Sequence, residues 1–536
     1  MNSGIEGLSL RRGAALLVLL WAALALLHVD LLRLPYFWDE AGYFIPAARD
    51  LFLDGSLVPH TTLSNAHPPL LMLWLAGVWK LFGCSVLATR LSMLFLAAVG
   101  LLGYYRLALH VANRRIATAT LVLSAIYPTI FAQSSLAQLD MGVFALTGWT
   151  LFLYLSGRRW TSLALMALAI VTKETSIALP LTLIVWELAG FAAARCGRAH
   201  GLLRWLPRPV SLWKTAMLGL AILPLAAWYI YHRHVTGYIL GNPDYLRYNV
   251  GSTLSCSRVA LALLIRLFHL TVYMNLLVPV AAALLALRLP PLAENNAERP
   301  ALGERTWLLL VLVAAAYGAE FSLVGGALLA RYLIPVVPLV ILLCVAAIWR
   351  RVRRWRLVCA VSGGAFLLAL VFSPPFGISP EDNLSYGDFV RLHQYAIAYA
   401  DTHYGASGYW TPRILTAWPA SDELTRPWLG YTPRTHSVVA IEDFSAGQVA
   451  LAAQRQDYDL VLAFSTKYGS AGSLLYGSSR WQQLLAQYTG YHKDLSPGQI
   501  AALLGGHLVW QQRIGGEWAA LIALDRAQLA HLVYYR

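Results

Sequence analysis

Long apolar runs separated by short arginine clusters dominate the first two thirds of this chain. Residues 13–32 form the first run, about the 20 residues that carry a helix across a bilayer. Further runs cover 68–82, 86–111, 116–134, 141–155, 161–172, 176–194, 212–231, 259–287, 307–324, 331–348 and 358–372. The run at 68–82 is short and opens on Pro68 and Pro69, so it reads as an interfacial or partly inserted helix. The stretch 259–287 reads as an interfacial turn and then one span. The pattern predicts about eleven transmembrane helices. After residue 373 it changes. Helical periodicity over 386–399 and 446–456 alternates with strand-like runs at 413–418, 437–442, 459–464, 507–514 and 518–524, which predicts a small α/β domain with a parallel or mixed sheet. The organisation expected is a mainly α polytopic membrane domain over 1–374 and a soluble α/β domain over 375–536. No Gly-x-Gly-x-x-Gly follows a strand in the tail, so a dinucleotide fingerprint is absent. The tail reads as a lid or acceptor-docking module.

Composition agrees. Hydrophobic residues make up 58% of the 536, mean hydropathy is +0.56 and charged residues are 13%, against roughly 25% in soluble domains. The net charge of +14 reflects loop arginines and not a nucleic-acid partner. The first run lacks a small-residue cleavage site and reads as a signal anchor. Five cysteines without metal spacing argue against a disulfide framework or a zinc site.

Arginine placement orients the chain, because basic residues collect on the cytoplasmic side. The inside markers are Arg11 and Arg12, Arg114 and Arg115, Arg158 and Arg159, then Arg195, Arg198, Arg204 and Arg208. Arg288 follows, and the run from Arg350 to Arg356 is the strongest. Only these set the orientation, yet Asp39, Glu40, His67, Asp140, Lys173, Glu174 and Arg331 then all fall on the outer face. Charged groups at a membrane edge are costly to hold and are usually functional. Each also has a plainer reading. Asp39, Glu40 and Asp140 suit helix N-termini. His67, before two prolines, could simply terminate an interfacial helix. Lys173 and Glu174 could pair locally. Arg331 and Tyr332 could anchor at the interface. His232, Arg233 and His234 read as a solvated loop rather than metal ligands. The aromatics Tyr36, Phe37, Trp38, Tyr43 and Phe44 read first as an interface belt and second as sugar-stacking surfaces.

Over 12–356 the sequence resembles the GT-C integral-membrane glycosyltransferases. The groups in view are glycosyltransferase family 39, with the protein O-mannosyltransferases, and the bacterial transferases that put aminoarabinose on lipid A. Asp39-Glu40, His67-Pro68-Pro69-Leu70, Asp140, Thr172-Lys173-Glu174 and Arg331-Tyr332 with Pro335 and Pro338 carry the resemblance. The aminoarabinose enzymes carry Lys where His67 stands, and many relatives have Gly where Glu174 stands. The eukaryotic mannosyltransferases contain a β-trefoil insert that this chain lacks, which favours a bacterial-type enzyme.

The resemblance implies a polyprenyl-phosphate-linked sugar donor. It also implies an acceptor hydroxyl on a protein, lipid or glycan, and transfer with inversion at the outer, periplasmic face of a bacterial inner membrane. Asp39 is then the general base and Glu40 orients it or the acceptor. Arg331, helped by Lys173 or His67, neutralises the phosphate, and Asp140 holds the acceptor or sugar hydroxyls. Glu174 and Tyr332 complete the substrate-binding set. The carboxylates and His67 could together hold a divalent cation, and hard oxygen ligands favour magnesium or manganese, but the sequence does not require one. The rival classes are a polytopic transporter and an export subunit for envelope glycans. Transporters often show paired repeats, and none is evident here.

Overall fold

The computed structural model describes residues 9–195, 205–208, 210–251, 253–294, 297–373, 379–404, 412–455, 457–465, 478–489 and 493–524. The inside markers Arg198 and Arg204 lie outside these residues. Packing divides the chain into two compact units: Met1–Val29 with Ala47–Phe372, and Asp30–Pro46 with Ser373–Arg536.

The larger unit is helical. Among the described residues six helices are long and apolar enough to cross a membrane: Leu10–Leu27, Val86–Val111, Glu174–Arg195, Leu212–Thr236, Cys256–Asn275 and Glu304–Leu323. Leu70–Phe82, Leu139–Leu155, Arg159–Ile170, Leu277–Ala286 and Trp355–Val371 are shorter apolar helices. The chain is a multi-pass membrane protein. Val86–Val111 packs along Leu139–Leu155, with Tyr104 against Phe144 at 5.0 Å and the Trp149 indole donating to the Val99 carbonyl.

Three apolar runs resolve differently from their reading in sequence. The run 116–134 breaks into Arg114–Ile126 and Pro128–Gln133. Proline disfavours helical backbone in the residue before it, and Tyr127 is extended at φ −62°, ψ 126°. The stretch 259–287 holds two helices, Cys256–Thr271 and Leu277–Ala286. They are separated where Met274 and Asn275 take φ +49° and +64°, and the Asn275 side chain donates to the Ala365 carbonyl at 2.7 Å. The helix over 212–231 continues to Thr236 and stops at Gly237 in the left-handed region, the usual glycine stop. His232 is therefore helical and buried, not in a solvated loop. Its Nε2 meets Ser64 Oγ and its Nδ1 meets the Tyr238 carbonyl, each at 2.8 Å.

The smaller unit contains a five-stranded mixed sheet. Its strands are β1 (Arg413–Ala417), β2 (Ser437–Ile441), β3 (Leu460–Phe464), β4 (Gly506–Ile514) and β5 (Glu517–Leu524), in spatial order β2-β1-β3-β5-β4. β1 runs parallel to β2 and β3, and β5 runs antiparallel to β3 and β4. β3 reads Leu-Val-Leu-Ala-Phe and is buried throughout, as a central strand covered on both faces must be. The helix Ser385–Tyr404 packs on β4 and β5. Residues 30–46, which lie far away in sequence, complete this unit.

One carboxyl here makes stability depend on pH. Burial pushes Glu517 up to about 7, against the hydrogen bond it accepts from Ser465 Oγ and the nearby His393; Asp388 raises it further. Between about pH 4.5 and 7 the folded unit holds a proton that the unfolded chain has released. The stabilisation is complete below that range and is lost as pH rises through 7. Glu517 is only partly buried, so solvent screening limits the loss to no more than about 3 kcal/mol. Thermal unfolding of the full chain at pH 5.5 and pH 8 should show this unit weaker at pH 8, and Glu517→Gln should remove most of that difference.

Candidate active site

Within the larger unit, three turns bring distant residues together. Asp140 lies in the first turn of Leu139–Leu155, where a carboxylate is favoured by the helix dipole. Lys173 is in extended conformation between the end of Arg159–Ile170 and the 3-10 turn Glu174–Ile177. Gly142 allows these two segments to meet, because a Cβ there would lie 2.7 Å from Thr172 Cγ2. Leu70 N–H donates to the Val171 carbonyl at 3.1 Å, which ties the His67 loop to the same turn. Arg331 and Tyr332 occupy the 3-10 turn Ala330–Leu333.

Buried arginines hold the approach to that turn. Arg258 donates to the carbonyls of Ser322 and Gly325 at 3.0 and 2.6 Å. Arg266 donates to those of Phe321 and Leu329 at 3.3 and 2.6 Å. Carbonyls at a helix C-terminus lack intrahelical partners, and these two cations satisfy them where water is excluded.

The centre of the site is a carboxylate between two cations. Lys173 Nζ lies 2.6 Å from Asp140 Oδ1, and Arg331 Nε lies 3.6 Å from Asp140 Oδ2. All three side chains are buried. Lys173 Nζ also sits over the Tyr332 ring at 4.1 Å, and that ring stacks on Phe321 at 4.9 Å. Beside them His67 Nδ1 meets Glu174 Oε2 at 2.8 Å, and the Tyr245 hydroxyl meets His67 Nε2 at 3.1 Å. Two buried cations thus share one carboxylate, an arrangement that suits an anion, and Glu174 and Glu320 also interact electrostatically with Lys173.

His67, Asp140, Lys173, Glu174, Arg331 and Tyr332 are thus gathered in one unit through direct contacts. Three neighbours were not singled out from sequence. Glu320 interacts electrostatically with Glu174 and Lys173, and its Oε2 is buried with no hydrogen-bond partner among the described residues. Arg266 and Tyr245 are the others. Glu320 and Arg266 carried a usable signal, since each is a charge inside an apolar run. Tyr245 carried none.

Asp39 and Glu40 belong to the smaller unit. Glu40 is fully buried and its Oε2 accepts from the Phe37 N–H at 2.9 Å, so its carboxylate closes its own turn. Asp39, one residue earlier, is only partly buried.

Asp140 and Glu174 meet cationic or imidazole partners rather than each other: the Asp140 oxygens face Lys173 and Arg331, and Glu174 faces His67. Among the described residues no group of three or more His, Cys, Asp or Glu side chains is arranged to share a metal ion.

No protein-family model matches the chain, and no curated protein matches it in sequence. Its fold is the GT-C fold of integral-membrane glycosyltransferases, with a small sheet-containing domain at the C-terminus. ArnT from Cupriavidus metallidurans bound to undecaprenyl phosphate matches with a TM-score of 0.51 at 16% identity, over 95% of this chain and 97% of that one. The apo state of the same ArnT gives 0.49 at 16% identity, over 95% and 98%. The oligosaccharyltransferase of Archaeoglobus fulgidus in complex with Zn and sulfate gives 0.43 at 12% identity, over 94% and 72%. At such identity the likeness to bound ArnT is one of fold.

Proposed function

We propose that this protein is a membrane glycosyltransferase. It moves a sugar from a polyprenyl-phosphate-linked donor to an acceptor hydroxyl on a protein, lipid or glycan, with inversion, at the periplasmic face of a bacterial inner membrane. The observation that carries this reading is the buried Lys173–Asp140–Arg331 group. It sets two buried cations beside the Tyr332 and Phe321 rings, in a fold shared with a protein that was crystallised with undecaprenyl phosphate.

The chemistry follows from the charges. The anomeric C–O bond to phosphate breaks, and its electron pair leaves with the lipid phosphate. Arg331 and Lys173 stabilise the negative charge that develops there, which is worth most in a low-dielectric site. Arginine can meet two phosphate oxygens at once through its fork. The acceptor oxygen attacks from the opposite face, and its proton passes to the Asp39 carboxylate. The sugar is cationic in character at the transition state, by analogy with glycoside hydrolysis. Tyr332 and Phe321 would flank the phosphate or the sugar.

The test is sugar transfer from radiolabelled polyprenyl-phosphate sugars, followed by thin-layer chromatography, in membranes carrying wild type or Arg331→Lys. Wild type should release polyprenyl phosphate and label an acceptor. Arg331→Lys keeps the charge but loses the fork, and should lower turnover by about 10–10²-fold. Equal turnover in both would remove Arg331 from the phosphate site. A wild type that is inert toward every donor would favour the transporter or export reading.

A further inference from the structure

Residues 36–46 join the first apolar helix to the rest of the larger unit, and they carry Asp39. The smaller unit grips this segment. Tyr36 N–H donates to the Leu429 carbonyl at 3.2 Å, and the Tyr431 hydroxyl donates to the Tyr36 carbonyl at 3.1 Å. The Trp38 ring lies 5.0 Å from Trp418 and 5.6 Å from Phe389. Gly42 lies so close to Trp418 that a Cβ would sit 2.9 Å from its indole. Trp418 follows the carboxyl end of β1, the side of an open parallel sheet on which sites are usually built.

Trp38 itself is in the left-handed region at φ +49°. A bulky residue is an outlier there, and such a conformation persists only when its surroundings hold it. The surroundings are specific. Phe389 is backed by His393, whose ring lies 4.1 Å from it and whose Nδ1 meets Glu423 Oε2 at 2.6 Å, both groups being buried. From the other side Phe464, at the end of β3, meets the His393 ring at 4.4 Å. The segment is then closed by its own bonds, Phe37 N–H to Glu40 Oε2, Glu40 N–H to the Phe37 carbonyl and Gly42 N–H to the Trp38 carbonyl.

We propose that the C-terminal domain positions the general base: Trp418 and Phe389 hold Trp38 in its left-handed conformation and thereby fix the direction in which Asp39 points. This rests on the transfer reaction proposed above, with Asp39 as its base. Trp418, Phe389, His393 and Glu423 are positioning residues and touch no substrate in this scheme. The tail is then part of the catalytic apparatus and not only a lid or docking module.

The test uses the full chain in nanodiscs, with hydrogen exchange and steady-state transfer measured on the same preparations. In Trp418→Ala the amides of 36–42 should exchange at least about tenfold faster, while Val86–Val111 and β3 stay protected. The kcat should fall roughly a hundredfold, as misplacement of a reacting group does, with the KM for the donor unchanged. Trp418→Phe should restore most of both. Trp38→Gly is the second variant. Glycine accepts the left-handed backbone without strain but offers no ring, so exchange should rise there too. Unchanged exchange over 36–42 in Trp418→Ala with β3 protected overturns the proposal. So does faster exchange with unchanged kcat. If wild type transfers no sugar, the transfer reading fails and the base-positioning role falls with it, and the exchange arm still reports whether the tail holds the segment.

Discussion

We expect Asp39→Asn to lower kcat by about 10²–10⁴-fold, the usual contribution of a positioned general base. Asparagine matches the carboxylate in shape but cannot take the acceptor's proton at neutral pH. The donor KM should stay close to that of wild type, because the phosphate is assigned to Lys173 and Arg331 and these belong to the other compact unit. Glu40→Gln should behave differently. Glu40 Oε2 accepts from the Phe37 N–H and is fully buried. A glutamine oxygen can keep that bond, so the loss should be far smaller than for Asp39→Asn. Initial rates at saturating donor and acceptor decide the matter. Equal rates for wild type and Asp39→Asn would remove Asp39 from the chemistry, and a larger loss at Glu40 would exchange the two roles.

Asp140→Ala should strongly destabilise the larger unit. Lys173 Nζ and Arg331 Nε lie 2.6 and 3.6 Å from its two oxygens, and all three residues are at most 6% exposed. Removing the carboxylate takes the shared counter-ion from two buried cations. Breaking a buried ion pair from one side costs about 3–5 kcal/mol, against a total stability of roughly 5–15 kcal/mol for a domain. The full chain in detergent should therefore unfold at markedly lower temperature or denaturant. Adding Lys173→Met to Asp140→Ala removes one stranded charge and should recover part of the loss. That non-additivity is the signature of direct coupling. If Asp140→Ala unfolds within about 1 kcal/mol of wild type, Asp140 is not the shared counter-ion of two buried cations.

Much of the architecture was legible in the residues alone. Apolar runs of bilayer length need no partner to be recognised, since the solvent itself demands a helix there. In the tail, strands expected at 413–418, 437–442 and 459–464 correspond to Arg413–Ala417, Ser437–Ile441 and Leu460–Phe464. Local patterning suffices where the alternation of apolar and polar residues is strong. It was weaker where backbone breaks depend on tertiary bonds, as at Met274 and Asn275, whose positive φ is held by a contact with residue 365 on another helix.

The sequence by itself determined that this is a multi-pass membrane protein with a small α/β domain at its end. These are properties of composition and local period, which need only the near neighbours in the chain. Only the tertiary structure decided which of those residues pair. Asp140 could have served Lys173, Arg331 or neither, and the choice rests on turns 33 residues apart or more, which bring Lys173 to 2.6 Å and Arg331 to 3.6 Å from its carboxylate. It also decided that 30–46 packs with residues more than 300 positions later. The strained backbone of Trp38 has no mark in the sequence, because strain is a balance between one residue's sterics and the packing of the rings around it.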